Sequence, residues 1–252
     1  MISLAKKIYN TAKIIRLRNF LNINPVKINT SHINFNSSVS DAFLWRTENN
    51  FKTIFKFTDL YKLFFDELGK VKIIFYDRNF KKIKELRISE INLYNNLIIN
   101  KDFMNGIEDH GTFYIFHENK KNIKSIIRNS CYTGFEKNNG IYSFVHGNLP
   151  VLTSDKNKNL GHNIIGRSFF FYNNYKIQKN FYSYDYSEIF IHNPTNSKII
   201  FFTNNVKYSL NEYCSIILVV KKEKIINLKS KCFILRPIIF SYKNGFIDVH
   251  HG

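Results

Sequence analysis

The chain has 252 residues, of which 44% are hydrophobic and 16% aromatic, so it carries enough apolar material to bury a core and is not globally disordered. Its 10 Gly and 4 Pro exclude collagen-like and Gly/Pro-rich low-complexity architectures. No apolar run reaches the ~18 residues that a membrane-spanning helix needs, so we do not expect an integral membrane protein.

The formal net charge of +18 comes mainly from lysine, because only eight of the 37 basic residues are arginines. Lys, Asn, Ile, Phe and Tyr share A/T-rich codons, so a low-GC genome produces this composition without selection for a polyanion. Base and phosphate recognition favours the forked guanidinium of arginine, which is scarce here. We therefore interpret the charge as a general attraction to anionic surfaces and disfavour a nucleic-acid partner.

The N-terminal 22 residues predict a basic amphipathic helix. Between Ile2 and Leu21, apolar residues recur at helical spacing, and lysines and arginines fill the other positions without an acidic residue. Such a helix can lie on an anionic membrane surface, which would make the protein cytoplasmic and peripheral on the inner membrane. The alternative is a helix that packs on the protein's own domain.

From residue 23 onward the pattern changes to short β-rich segments. Early strands are predicted at Val26–Asn29, Phe43–Arg46 and Phe51–Phe57, and one short helix follows, capped by Thr58 and ended by Gly69. Beyond that helix, alternating apolar runs separated by Asn, Gly and Pro turn signals predict strands almost to the C-terminus.

These elements predict a mainly β protein, an antiparallel β-sandwich or jelly-roll-like fold, with an N-terminal amphipathic helix and one short internal helix. We assign residues 1–22 to the basic helix and 23–252 to the β-sandwich region. The alternative is a split near residue 105 into two packed β subdomains. Cys131, Cys214 and Cys232 are odd in number and far apart, so we expect reduced thiols rather than disulfides or structural zinc.

Three histidines lie where a predicted strand ends in polar or glycine-containing sequence: His117, His146 and His250. Three imidazoles from separate strands can bind a divalent metal and leave a coordination position open, so a metal cofactor is one hypothesis. The alternative is that these are surface or hydrogen-bonded structural histidines, since no HExxH or HxH spacing is present.

Asp109-His-Gly-Thr-Phe113 is the densest polar cluster that enters a strand. Asp109 and His110 are candidates for a catalytic acid/base pair, and Gly111 would let a ligand approach the backbone. The same sequence is also an ordinary turn into a strand, in which Asp109 binds its own backbone.

Four further residues are candidate ligand-binding groups: Trp45, Arg46, Asn148 and Arg236. Arginine kept in a lysine-rich chain indicates bidentate contacts to a carboxylate, which is either internal or on a ligand. Trp45 beside Arg46 would suit a sugar ring with acidic groups, and the alternative places Trp45 in the core with Arg46 bridging two loops.

Several short strings together resemble a group of uncharacterised bacterial β-rich proteins encoded among surface-polysaccharide biosynthesis genes. They are Ser40-Asp-Ala-Phe-Leu-Trp-Arg46, Asp109-His-Gly-Thr-Phe113, Tyr132-Thr-Gly134, His146-Gly-Asn148, His192-Asn-Pro194, Arg236-Pro237 and Asp248-Val-His250, which cover most of the chain after residue 36. The resemblance implies a context of cell-envelope glycans and no established reaction.

The leading hypothesis is a protein that binds or modifies a cell-envelope glycan or its activated precursor. The alternatives are a non-catalytic structural or assembly protein at the membrane surface and, less favoured, a nucleic-acid binder. No nucleophile elbow, Walker A loop or dinucleotide-binding motif indicates a reaction class.

Overall fold

The computed structural model describes residues 38–118, 131–138, 140–146, 148–154, 171–178, 184–195, 197–220, 225–232 and 235–252, with Thr11, Lys13, Ile14, Leu17 and Leu21. The predicted helix over residues 1–22 lies almost wholly outside the described residues, as does the predicted strand at Val26–Asn29. None of the helices in the described ranges is both long and apolar enough to cross a bilayer.

From residue 38 onward, the described chain forms one α-helix and seventeen strands, with a 3₁₀ turn at Glu48–Asn50 after the first strand. The helix, α1, spans Leu60–Phe65. The strands are β1 Val39–Arg46, β2 Phe51–Phe57, β3 Val71–Asp77, β4 Lys82–Ile88, β5 Asn95–Ile99, β6 His110–His117, β7 Tyr132–Lys137, β8 Ser143–His146, β9 Asn148–Ser154, β10 Asn173–Gln178, β11 Tyr186–His192, β12 Ile199–Thr203, β13 Val206–Leu210, β14 Ser215–Val220, β15 Ile225–Ser230, β16 Ile238–Lys243 and β17 Phe246–His251.

These strands form four antiparallel sheets. Sheet A has the order β4-β3-β6-β1-β9 and sheet B the order β5-β2-β7-β8, so the first half of the chain alternates between them. The second half alternates between sheet C, β14-β11-β16-β17, and sheet D, β10-β15-β12-β13. The four sheets are arranged like the blades of a four-bladed propeller.

Three apolar cores hold the sheets together. Phe43 and Phe113 belong to the core between sheets A and B, and Ile189 and Phe201 to the core between sheets C and D. A third core joins the two halves and includes Phe190. Sheet A therefore packs on two neighbours, which is why β1 and β6 are buried along their whole length and lack an apolar/polar alternation.

The prediction of a mainly β, antiparallel protein is confirmed, but a single two-layer sandwich is not what these sheets form. Sheets A and B both extend across residue 105, because β3 pairs with β6 and β2 with β7. Sheet membership changes instead between β9 and β10. The three cysteines are buried free thiols.

The short internal helix is present, but its ends differ from the prediction. Asp59 rather than Thr58 caps α1, since its Oδ1 accepts hydrogen bonds from the N–H groups of Tyr61 and Lys62. Asp66 ends the helix in the left-handed conformation, in the place predicted for Gly69. The Gly69 N–H donates to Asp59 Oδ2 at 2.8 Å, so this glycine closes the loop onto the cap.

Candidate functional site

A polar face of β6 is directed at sheet C. His110, Thr112 and Tyr114 alternate along the strand and so share one face. The His110 ring meets Phe190 of β11 edge-on, with 5.9 Å between the ring centroids. Tyr114 belongs to the same core as Phe190. This face of β6 therefore lies in the seam between sheets A and C.

Sheet C contributes polar groups to the same seam. Glu188 and His192 lie two residues before and after Phe190 and therefore share its face. Ser215 is the register partner of His192 on β14, and β14 contacts β6. We name His110, Thr112, Tyr114, His192 and Ser215 the polar seam.

A buried ionic group closes the His110 end of the polar seam, and we name it the Arg46 cluster: Arg46, Glu48, Glu188 and Tyr242. The Arg46 side chain is only 1% exposed. Its Nε lies 2.9 Å from Glu48 Oε1, and its Nη1 lies 2.6 Å from Glu188 Oε2. Because Glu48 follows β1 and Glu188 is on β11, this arginine joins the two halves of the chain.

Aromatic rings and a phenol complete the Arg46 cluster. The guanidinium carbon lies 3.9 Å from the Phe51 ring centroid and 4.8 Å from that of Phe240. The Tyr242 hydroxyl donates to Glu188 Oε2 at 2.6 Å, and Arg46 Nη1 donates to Tyr242 Oη at 3.4 Å. Cation–π contacts and charge-assisted hydrogen bonds together compensate the burial of the guanidinium.

The Arg46 cluster favours the charged forms of Arg46 and Glu48. Burial opposes the ionisation of Glu48, but the hydrogen bond to His110 and the Arg46 charge outweigh it and lower the pKa of Glu48 to about 2. Burial likewise opposes the charge of Arg46, and Tyr242, Glu48 and Glu188 outweigh it, so the Arg46 pKa is raised. Glu48 is therefore a carboxylate at all ordinary pH values and serves as an acceptor, not as an acid.

His110 lies between two carboxylates. Its Nδ1 is 3.5 Å from Glu48 Oε1 and 3.7 Å from Asp109 Oδ1, and its side chain is 6% exposed. Asp109 Oδ1 also accepts the backbone N–H of His110 at 2.8 Å and pairs with Arg78. Asp109 thus makes the backbone contact of the turn interpretation and also sits beside the imidazole. Carboxylates beside one ring nitrogen favour the proton on that nitrogen, which leaves the other as a base.

The seam contains buried polar atoms without hydrogen-bond partners among the described residues. In the polar seam they are Nε2 of His110, both ring nitrogens of His192 and Ser215 Oγ, and in the Arg46 cluster Glu48 Oε2. An unmet buried donor or acceptor costs about 1–3 kcal/mol, and native proteins contain few. Several of these atoms lie together along the seam between sheets A and C.

Trp45 does not line this site. It is fully buried on the opposite face of sheet A, and its Nε1–H donates to the Tyr76 carbonyl at 2.8 Å. A Cβ at Gly111 would collide with the same carbonyl, so this glycine admits the neighbouring strand and not a ligand. The expectation of an exposed Trp45 for sugar stacking is therefore wrong, and the core interpretation holds.

The three histidines of the hypothetical metal site are not brought together. His117 packs edge-on against Tyr61 of α1, 5.1 Å between centroids, on the face of β6 opposite to His110. His146 stacks beside Tyr132 at the end of β8. His250 lies on β17, with its Nδ1 3.5 Å from Asp248 Oδ2. No group of three or more His, Cys, Asp or Glu within the described ranges is arranged to hold a metal ion, which corrects the prediction of a shared site.

The other two ligand candidates lie elsewhere. Arg236 is exposed between Leu235 and Pro237 and is close enough to His251 for its charge to help lower the pKa of that residue. Burial is the main cause of that shift, to about 4. Asn148 begins β9, opposite Phe43 of β1. Of the predicted set, His110 therefore belongs to the polar seam, Arg46 to the cluster at its end, and Asp109 lies beside His110, whereas Arg236 does not join them.

Sequence reasoning missed Glu48, Glu188 and Tyr242. Glu188 directly precedes the apolar run Ile189-Phe-Ile191, and an acidic residue at the edge of a strand core is a signal that a buried cation lies opposite. Glu48 follows Arg46 by two residues, which places it within reach. Nothing in the sequence singles out Tyr242 from the other tyrosines.

No protein-family model matches the chain, and a search of curated proteins finds no match. The function is therefore argued from the side chains themselves.

Proposed function

We propose that this chain recognises a cell-envelope glycan or its activated precursor through the polar seam between sheets A and C. The observation that carries the proposal is the row of buried seam atoms that the described part of the protein leaves without hydrogen-bond partners. A sugar presents many hydroxyls that donate and accept at once, which is what hydroxyl and imidazole groups in this arrangement require.

The rim of the Arg46 cluster supports a sugar ligand. Tyr186 is half-buried and stacks on Tyr242, with ring centroids 4.4 Å apart and an interplanar angle of 9°. The Glu48 and Glu188 side chains beside it are 16% and 13% exposed. Aromatic faces next to fixed acceptors are suited to the apolar and hydroxyl faces of a sugar ring.

His110 provides a group for modification as well as binding. Its imidazole is placed by Glu48 and Asp109 on one nitrogen, which is how general bases are oriented in enzymes. The acid/base role proposed for the Asp109–His110 pair is retained in this form, with Glu48 added as a positioning carboxylate. Binding alone is the minimal function, and modification requires His110.

A glycan-binding measurement on the intact protein tests the proposal. The probes are neutral and charged monosaccharides and cell-envelope oligosaccharides. We expect at least one of them to give a saturation-transfer NMR signal with the protein. The double variant Thr112→Val/Ser215→Ala should abolish or strongly reduce that signal, because it removes two seam hydroxyls at almost constant volume. Binding that is absent from every probe, or unchanged in the double variant, would contradict the proposal.

A second candidate function is a non-catalytic structural or assembly protein, and the Arg46 cluster favours it. A single guanidinium that ties two halves of a chain through two carboxylates is a structural cross-link by itself. Attachment of residues 1–22 to the inner membrane surface remains part of either proposal. Flotation of the protein on anionic vesicles, with and without these residues, tests that attachment, and equal recovery would count against it.

A further inference from the structure

We infer that α1 and the loop before β5 form a membrane-contact element that inserts apolar side chains into an anionic lipid bilayer. This contact is separate from the one proposed for residues 1–22 and lies in a different part of the chain. Six large apolar side chains are exposed on these two segments, and we name them the α1 patch: Leu63, Phe64, Phe65, Leu68, Leu93 and Tyr94.

The composition of α1 is that of a buried helix. Lys62 is its one polar residue, and the other residues are Leu, Tyr and Phe. A helix that is apolar on all sides is normally enclosed by other elements. Of the described residues of α1, however, Tyr61 alone is buried, whereas Leu63 and Phe64 are more than half exposed. The helix therefore carries an apolar face that the described part of the protein does not cover.

The inner side of α1 fixes it to the sheets. Tyr61 packs edge-on against His117 of β6, with 5.1 Å between the ring centroids. The Asp59 N–H at the start of the helix donates to the Asn92 carbonyl at 3.3 Å, which ties the second segment of the α1 patch to the first. Exposed apolar groups of this size, held on an ordered backbone, mark an interaction surface.

A bilayer with anionic headgroups fits the α1 patch better than other surfaces. Leu, Phe and Tyr are side chains that interfacial membrane segments present to lipid and headgroups. Asp66 is exposed among them, but it pairs with Lys62, so its negative charge is compensated at the bilayer surface. The net charge of +18 on the whole chain attracts it to anionic lipid.

The first described residue of the sheets lies beside α1. The Ser38 hydroxyl accepts the His117 N–H at 2.6 Å, and His117 contacts Tyr61. Residues 23–37 connect this point to residues 1–22 and span at most about 50 Å when fully extended. Residues 1–22 contain five Lys or Arg and no Asp or Glu. The basic segment is therefore tethered next to the α1 patch, so one anionic bilayer can contact both.

Flotation of the intact protein on vesicles of phosphatidylglycerol and phosphatidylcholine tests the α1 patch. We expect Phe64→Ser/Leu68→Ser to weaken partitioning onto these vesicles at least about tenfold, because two inserted apolar side chains are lost. Phe246→Ser/Val219→Ser is the matched control, since these side chains are more than half exposed on sheet C. The control should partition as the unmodified protein does, and urea unfolding shows that both double variants are folded. Equal partitioning of the two double variants would overturn the inference.

A fluorescent label at Leu68 reports insertion directly. The three cysteines are buried, so Leu68→Cys offers an exposed thiol for an environment-sensitive dye. We expect its emission to shift to the blue on the anionic vesicles, and the same dye at Val219→Cys to be unaffected. A blue-shifted emission without vesicles would show that another part of the chain or a second copy already covers the α1 patch, and would overturn the inference. Removal of residues 1–22 tests their own attachment separately, so the two membrane contacts can fail independently.

Discussion

The two faces of sheet A have opposite characters. Towards sheet B, β1 and β6 present Phe43, Trp45 and Phe113, and the one polar atom of this trio, Trp45 Nε1, donates to a backbone carbonyl. Towards sheet C, the same two strands present Arg46 and His110, with buried polar atoms that the described residues leave unsatisfied. Because the strands are shared, the contrast arises from the side chains and not from the backbone.

This contrast distinguishes a packed apolar face from the face for which we propose ligand recognition. The A/B face is largely apolar and stacked ring on ring, for example Phe43 with Phe113 at 5.4 Å. The A/C face keeps polar groups whose burial destabilises the protein, which selection for stability alone would replace with apolar residues. We therefore expect substitutions on the A/B face to change stability without changing ligand binding, and substitutions along the polar seam to do the reverse.

The largest effect on stability is expected at Arg46, whose guanidinium is paired with two carboxylates on the A/C face. Arg46→Met should lower the free energy of unfolding by about 3–5 kcal/mol, because it leaves the Glu48 and Glu188 carboxylates buried without their cation. Urea unfolding followed by tryptophan fluorescence measures it, since Trp45 is the only tryptophan and is in the core.

Arg78→Met is the control for charge alone. Its side chain is 47% exposed and pairs with Asp109, so its loss should change stability by less than about 1 kcal/mol. Similar losses for both variants would show that the Arg46 cluster is no more than a surface ion pair.

The next largest effect is a dependence of stability on pH that comes from His192 in the polar seam. Burial lowers the pKa of His192 to about 3, so the folded protein keeps this imidazole neutral while the unfolded chain binds a proton near pH 6.5. The stabilisation is complete above pH 6.5 and is lost as the pH falls towards 3, at up to ~1.4 kcal/mol per pH unit.

His192→Leu tests this dependence by comparison with the unmodified protein at pH 8 and pH 5. We expect the loss of stability between the two values to be smaller in the variant by ~2 kcal/mol. The comparison avoids Glu48, whose carboxyl titrates below pH 4.5. It also cancels the contribution of His251, whose pKa is lowered to about 4 mainly by burial. Parallel pH profiles would show that His192 does not titrate differently on folding.

A smaller effect is expected on the A/B face. Trp45→Phe removes the hydrogen bond to the Tyr76 carbonyl and part of the ring volume, which should cost about 2 kcal/mol. Sugar binding should not change, since Trp45 faces away from the polar seam. Circular dichroism during urea unfolding replaces the lost fluorescence. A binding defect in a variant that remains folded would break the separation between the two faces.

The sequence predicts several of the strands but not how they assemble into four sheets. β1, β2, β3, β4 and β6 lie where alternating or continuous apolar runs and turn residues place them, because these are local signals. Sheet membership depends on which faces are buried. The strand His110–His117 is buried on both faces, so its sequence lacks an alternation of apolar and polar residues. Without that alternation, the sequence does not distinguish one sandwich from four packed sheets.

The candidate site was predictable only where its residues are neighbours in the sequence. Asp109 and His110 are adjacent, and Arg46 pairs with His110 in register between β1 and β6. Glu188 and Tyr242 lie 142 and 196 residues after Arg46 in the chain. Their contacts with Arg46 depend on how the two halves of the protein pack. The three-histidine hypothesis failed for the same reason. His117, His146 and His250 end or lie on strands of three different sheets, and the sequence does not show how those sheets pack.

The smallest expected change in stability is the sharpest test of the polar seam. Ser215→Ala removes a buried hydroxyl that has no hydrogen-bond partner among the described residues. The variant should be as stable as the unmodified protein to within about 1 kcal/mol, because no hydrogen bond is lost and a desolvated hydroxyl is removed. Ser187→Ala is the matched control: the buried Ser187 hydroxyl is hydrogen-bonded to the Ser241 hydroxyl at 3.0 Å. That variant should lose about 1–3 kcal/mol. If both variants lose the same amount in urea unfolding, Ser215 is hydrogen-bonded in the free protein and its hydroxyl is not available to a ligand.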